Sequence, residues 1–259
     1  MNVIYQPKGR AREYSPLALN VYTTCAHACD YCYCKRLRGD GFVESLPAPR
    51  RGVVSALKRQ IEKEGAPKSQ VMLSFMGDPF GPSTDDNRAT IECMEVLADA
   101  KVPVAVLTKG GTECLKAYDT FERFGGHIMV GQSLTFSSGS DSEAYEPGAA
   151  APEDRIEALR VLHGRGIKTF ASFEPVIDPG QSLELIEKTL DVVDIYKVGK
   201  INNYHGLDKT IDWNSFLASA LDIIRSSGNR VYVKEDLRRA APNVPLRGNE
   251  VLADDFTVR

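Results

Sequence analysis

The sequence has no apolar run near the roughly 18 residues that a membrane-spanning helix needs; its longest strand-like stretch is Val102–Leu107. Nor does it have a large excess of either charge. Its 32 Lys and Arg oppose 35 Asp and Glu, leaving a net charge of -3, which excludes a uniformly basic nucleic-acid coat but not a local basic patch. Six cysteines are too few for a disulfide scaffold in 259 residues. The opening Asn2-Val3-Ile4-Tyr5-Gln6-Pro7-Lys8 carries no apolar signal core, so a cytoplasmic location without membrane attachment is expected. With 42% hydrophobic and 26% charged residues, the chain reads as an ordinary globular protein. No Pro-, Gly- or Ser-rich linker divides it. A single domain is expected over 1–259, with an N-terminal extension (1–16), a repeating body (17–236) and a tail (237–259).

Within the body, apolar runs of strand length alternate with helical patterns. Strands are expected at Leu17–Thr24, Val71–Met76, Val102–Thr108, Ile128–Thr135, Thr169–Val176, Asp194–Val198 and Val231–Lys234. Between them, apolar residues recur at three-and-four spacing, as in Ile156, Leu159 and Leu162 or Phe216, Leu217, Leu221 and Ile224. Pro152-Glu153-Asp154 suits a helix start, and Gly65, Gly166 and Gly228 suit helix ends. Alternation at about thirty residues per unit implies parallel strands joined by right-handed crossovers. The repeats end near Lys234, short of the eight units of a full ~250-residue barrel. The expected fold is therefore α/β: an open, partial TIM-type barrel of about six βα units with parallel strands and a short C-terminal extension. A doubly wound open sheet is the alternative. Thr135–Pro152 reads as one long βα loop, and the tail after Leu237 as an irregular segment that wraps the barrel or covers its mouth. In either architecture chemistry belongs at the C-terminal strand ends.

Cys25, Cys29 and Cys32 follow the first expected strand with the spacing C-x3-C-x2-C, and Cys34 lies two residues on. Three thiolates on one short loop can hold three irons of a 4Fe–4S cluster and leave the fourth iron open. An open site can take a substrate or cofactor. A structural zinc is the alternative, with Cys34 or His27 as fourth ligand, although no second C-x2-C follows.

This motif, with an aromatic before the last cysteine and at the head of a series of βα units, resembles the radical S-adenosylmethionine (SAM) superfamily over nearly the whole chain. The resemblance implies two cofactors, a 4Fe–4S cluster on Cys25, Cys29 and Cys32 and a SAM molecule chelating the open iron. It implies an external reductant such as flavodoxin or ferredoxin, cleavage of SAM to a 5′-deoxyadenosyl radical, and hydrogen abstraction from a substrate. Of the strand ends, Gly77 and Asp78 are the candidates for the SAM ammonium, Lys109 for its carboxylate and Ser133 for its ribose. The nearest likeness is to the spore photoproduct lyase branch, carried by Cys25-x3-Cys29-Asp30-Tyr31-Cys32-Tyr33, Asp78 and Leu107-Thr108-Lys109. It implies radical-transfer roles for Tyr31 and Tyr33 and SAM contact for Tyr31. The chain departs from that branch in having no cysteine at Ser74-Phe75-Met76-Gly77, where the lyase carries its hydrogen donor. Cys34 is a candidate substitute. A relative using the same chemistry on another substrate is the expectation.

Later strand ends offer Glu174, Lys197 and Asn202 as substrate contacts. Residues 1–60 hold ten Lys and Arg against four Asp and Glu, and Lys35, Arg36 and Arg38 follow the cysteine loop directly. Such a patch suits phosphates, a nucleic-acid backbone included. Three readings result. The chain modifies or repairs a nucleobase; it rearranges or decarboxylates a small amino-acid-like group; or it is an iron–sulfur redox sensor without turnover.

Overall fold

Alternate strand residues enter different apolar clusters, as expected of a sheet buried on both faces. Val104 and Val106 pack with Cys93, Leu97 and Phe121, whereas Ala105 packs with Met72, Met129, Phe170, Ile195 and Tyr232. The computed structural model describes residues 2–253 and 257–258. Its strands are β1 (Ile4–Tyr5), β2 (Leu17–Leu19), β3 (Val71–Leu73), β4 (Val104–Thr108), β5 (Ile128–Ser133), β6 (Lys168–Phe173), β7 (Ile195–Val198) and β8 (Arg230–Val233). The helices are α1 (Tyr33–Arg38), α2 (Val53–Glu64), α3 (Arg88–Asp99), α4 (Tyr118–Glu122), α5 (Gly139–Tyr145), α6 (Pro152–Gly164), α7 (Pro179–Lys188), α8 (Trp213–Ser227) and α9 (Glu235–Ala240).

β2 through β8 are parallel and lie side by side in chain order. That order excludes the doubly wound alternative, whose strand sequence reverses at a switch point. β1 runs antiparallel along the outer edge of β2, and β8 pairs only with β7 among the described residues. The sheet is a partial barrel that does not close. All seven expected strands are present, and the short antiparallel β1 is an addition.

β2, β3, β5, β6 and β8 end earlier than expected, and one side chain explains the first two. Asn20 Oδ1 accepts the backbone N–H groups of Phe75 and Met76 at 3.0 Å each. The bonds that would have extended the β2–β3 ladder are replaced, so Asn20–Cys32 and Ser74–Gly77 become loops. The long βα loop after β5 contains α5, whose N-cap Ser138 accepts from Asp141 N–H at 3.2 Å.

The missing barrel wall is supplied by the N-terminal segment. From β1 at one edge it crosses to the other, where Glu13 accepts from Tyr232 Oη and Glu235 N–H at 2.8 Å each, and Arg10 pairs with Asp236 at 2.7 Å. The tail follows the wrapping alternative rather than the mouth-covering one, with Asn243 N–H on Asn214 Oδ1 at 3.1 Å and Arg225 on Pro245 O at 3.1 Å along α8. Val258 is buried in the barrel interior, its N–H on Gln70 Oε1 at 2.9 Å, at the end where β3 begins. The tail therefore plugs the floor rather than the mouth; Asp254, Asp255 and Phe256 lie outside the described residues.

Gly131 sits where a Cβ would come within 2.5 Å of the Phe170 ring, which fills the barrel axis. Gly131→Ala is expected to destabilise the fold by about 1–3 kcal/mol through overpacking. Urea unfolding measures this, and an unchanged midpoint would contradict the packing described.

Candidate active site

The C-terminal strand ends surround one cavity of about 460 Å³. The cysteine loop forms one wall. Cys25 is held by a bridge to the segment before α2, its N–H on Phe42 O at 3.0 Å and its carbonyl accepting Glu44 N–H at 3.2 Å. Cys32 N–H donates to Cys29 O at 3.2 Å, and Cys32 caps α1. Cys25, Cys29, Cys32 and Cys34 all line the cavity, and none forms a disulfide. Burial pushes the Cys25 and Cys29 thiols up to about 12, whereas the hydrogen bond with Cys34 helps bring Cys32 down to about 6.

The loop is strapped from behind by the turn after α5. Asp30 N–H donates to Tyr145 O at 2.9 Å, Gly148 N–H donates to His27 O at 3.0 Å, and His27 Nδ1 lies 2.7 Å from Gly148 O. Inside this strap Glu146 is buried. Its Oε2 receives Arg155 at 2.6 Å, and its Oε1 receives Thr135 Oγ1 at 3.1 Å and the Tyr31 hydroxyl. Lys109 Nζ lies 3.5 Å from the same Oε1. Burial pushes the carboxyl up, but the Lys109 and Arg155 charges and the bonds from Tyr31 and Arg155 outweigh it, holding the group down to about 2 from an ordinary 4.5. Neither Glu146 nor Arg155 was singled out from the sequence: they pair with each other across nine residues of chain, and Tyr31 lies 115 residues from Glu146.

The sequence-derived candidates distribute unevenly. Gly77, Asp78, Lys109, Ser133, Tyr31, Tyr33, Glu174 and Asn202 all line the cavity. Gly77 has a φ of 69°, and a Cβ there would lie 2.7 Å from Thr24 O, so this turn presses against the cysteine loop. Asp78 is already occupied: its Oδ1 accepts from Phe80 N–H at 2.9 Å and from Thr108 Oγ1, and its Oδ2 from Lys109 N–H at 2.7 Å. His27 Nε2 stands 3.0 Å from Oδ2. Burial pushes the Asp78 carboxyl up, but the nearby His27 and these donors more than reverse it, holding the group below its usual range. Asp78 is thus the hub tying the ends of β3 and β4 to the cysteine loop. Tyr33 is 48% exposed, with its hydroxyl on Phe75 O. Lys197 is not on the cavity wall. It is buried beneath Tyr14, its Nζ 3.3 Å from Tyr14 O. Residues not singled out from the sequence, Lys8, Arg10 and Tyr14 of the N-terminal segment, do line the cavity.

Among the described residues, no group of three or more His, Cys, Asp or Glu side chains is placed to hold a single metal ion. A structural zinc requires four ligands around one point. Of the candidate fourth ligands for it, His27 has both ring nitrogens turned to Gly148 and Asp78. A 4Fe–4S cube asks for something else, one thiolate for each of three irons, and Cys25, Cys29 and Cys32, three of the four free thiols on the cavity wall, fit that donor set.

An open parallel barrel with a C-x3-C-x2-C loop at its mouth defines a radical SAM protein. The Radical SAM superfamily model matches residues 19–193, and the chain belongs to that superfamily, whose members are enzymes using a 4Fe–4S cluster and SAM. In sequence the chain is similar to "Uncharacterized protein MJ0683" of Methanocaldococcus jannaschii, 26% identical over 61% of this chain and 60% of that protein. In structure it is similar to a spore photoproduct lyase with bound AdoMet and dinucleoside spore photoproduct, with TM-score 0.59 and 14% identity over 90% of this chain and 63% of that one. It is likewise similar to Streptococcus suis SuiB bound to S-adenosylmethionine, with TM-score 0.62 and 13% identity over 89% and 53%. The chain therefore spans about 60% of the length of the sequence relative and less than two thirds of these structures. Among the described residues no helix is long and apolar enough to cross a membrane.

Replacing Glu146 by Gln leaves Arg155 buried without its counter-charge, and a loss of about 3–5 kcal/mol is expected. Because the folded carboxyl is depressed, its contribution is complete above pH 4.5 and lost as pH falls towards about 2. Denaturant unfolding against pH should show this acid dependence in the parent and a flattened one in Glu146→Gln. Parallel profiles would contradict it.

Proposed function

We propose that this radical SAM enzyme abstracts a hydrogen atom from a nucleobase or nucleotide, in a modification or repair reaction. The observation that carries this reading is the asymmetry of the cavity. Lys8, Arg10, Arg36, Lys109, Lys200 and Lys234 line it; Arg10, Lys109, Lys200 and Lys234 pair with Asp236, Glu146, Asp208 and Glu174, which leaves Lys8 and Arg36 as the cavity cations without an ion pair among the described residues. A phosphate-bearing substrate is attracted to such a wall.

Cys25, Cys29 and Cys32 would hold the cluster. When bound, the cluster and SAM supply the 5′-deoxyadenosyl radical that takes the substrate hydrogen. The chain's own residues do the positioning. Lys109, steadied by Glu146, and Ser133 stand ready for the carboxylate and ribose of SAM, and the Ser74–Gly77 turn for its amino group. Asp78 acts by fixing that turn and the start of Lys109, since its oxygens already have donors. Tyr33 and Tyr31 are the candidate radical-transfer pair, with Cys34 beside them. Tyr33 Oη is tied to Phe75 O, so it sits over the SAM turn, while Tyr31 Oη faces Glu146. A flavodoxin- or ferredoxin-type protein is the proposed electron source, and the cytoplasm the proposed location.

Anaerobic reconstitution followed by dithionite and SAM should release 5′-deoxyadenosine, and Cys29→Ala should abolish it. Tyr33→Phe should lower product formation more than SAM cleavage; equal loss of both would remove Tyr33 from the transfer step. Deuterium carried from a labelled nucleotide into 5′-deoxyadenosine would support the substrate class, whereas transfer only from amino-acid substrates would contradict it.

A further inference from the structure

The far end of the cavity, opposite the cysteine loop, is a built polar subsite to which the reading above gives only a general role. Across the register of β6, β7 and β8, Ser172, Lys197 and Tyr232 form one inward layer. The next residues along are Glu174, Gly199 and Lys234, just past the strand ends. Gly199 N–H still donates to Phe173 O at 3.0 Å, and Lys234 N–H to Val198 O at 2.9 Å. Gly199 between them leaves little spare room: a Cβ there would lie 3.0 Å from Lys234 Cδ and 3.1 Å from Glu174 Cδ, so either side chain would have to shift by a few tenths of an ångström. The two side chains meet over this gap, Lys234 Nζ on Glu174 Oε2. From the N-terminal segment, Tyr14 Oη donates to the same Oε2 at 3.0 Å and lies 2.6 Å from Ser172 Oγ.

The two bonds to Glu174, from Tyr14 and Lys234, fall on one carboxylate oxygen. Among the described residues nothing donates to Glu174 Oε1, and Glu174 lines the cavity. The charges around it narrow what can dock there. Lys234 Nζ already pairs with Glu174, so a cationic group would be a second ammonium on a carboxylate whose charge is already met. An anionic group would meet Glu174 first, because its side chain is 22% exposed while that of Lys234 is 3%. We infer that Glu174 Oε1 is a specificity-determining acceptor for an uncharged substrate group bearing an N–H or O–H. Tyr14 and Lys234 act as the positioning residues that fix its other oxygen. This rests on the proposed enzyme reading and deepens it: the part of the substrate facing the barrel's far wall is a neutral donor such as an amide, imide or hydroxyl.

The test uses the cluster-loaded protein with SAM and no reductant, so that nothing turns over. Binding of four probes is compared by ligand-observed NMR: uracil, its dimethylated form lacking ring N–H groups, anionic orotate, and glutarimide, an imide that is not a nucleobase. Uracil and glutarimide should bind at least about tenfold tighter than the other two, as expected for a hydrogen bond to a charged acceptor. Glu174→Ala, checked for iron content, should erase that preference. Should Glu174→Ala fail to load its cluster, Gly199→Ala, which crowds the pair without removing it, should reduce the same preference. Dimethyluracil or orotate binding as well as the donors, a preference that survives both variants, or no binding by any probe would overturn the inference. Glutarimide binding through Glu174 without uracil binding would leave it standing and overturn the nucleobase reading instead.

Discussion

The cavity depends on a carboxylate that never reaches it. Glu146, buried behind the cysteine loop, gathers Arg155, Thr135, Tyr31 and Lys109 around two oxygens. An ionised carboxylate at such depth is tolerable only with this full complement of partners. The turn carrying it is bonded to the loop through Asp30 and His27, so satisfying the charge also fixes the height of the cysteines above the barrel. Asp78 repeats the device on the adjoining side with His27, Thr108 and the Lys109 backbone. Between them, two buried acids set the wall on which the cofactors of this superfamily are held.

The other half of the site depends on the sheet remaining open. β8 leaves a gap that a closed barrel would fill with an eighth parallel strand, and residues 8–14 cross it instead. The segment brings Lys8, Arg10 and Tyr14 to the cavity. The proposed cofactor and substrate roles thus fall on separate parts: cysteines and buried acids on the β2–β5 side, and the N-terminal segment with the β6–β8 ends opposite.

Local features were legible in the sequence and long-range ones were not. The seven parallel strands could be read because each is an apolar run bounded by helical periodicity, and the cysteine loop because its spacing is local. The ends of β2 and β3 could not, since they are decided by Asn20 reaching across to Phe75 and Met76. β1, two residues long, is too short to show a period. Lys197 was expected at the mouth, but strand alternation already places it inward, in register with Ser172 and Tyr232, one residue below the strand end. Glu146 was hidden for a different reason. It sits in a polar, Gly- and Ser-rich stretch, and its bond to Tyr31 spans 115 residues of chain.

The central claim is that three thiols grip a four-iron cube and leave one iron for SAM. Electron paramagnetic resonance of the anaerobically reconstituted, dithionite-reduced protein tests it most directly. A spectrum of a reduced 4Fe–4S cluster whose signal changes when SAM is added is the predicted result. Zinc in place of iron, or a cluster signal that SAM leaves unaltered, would contradict the account.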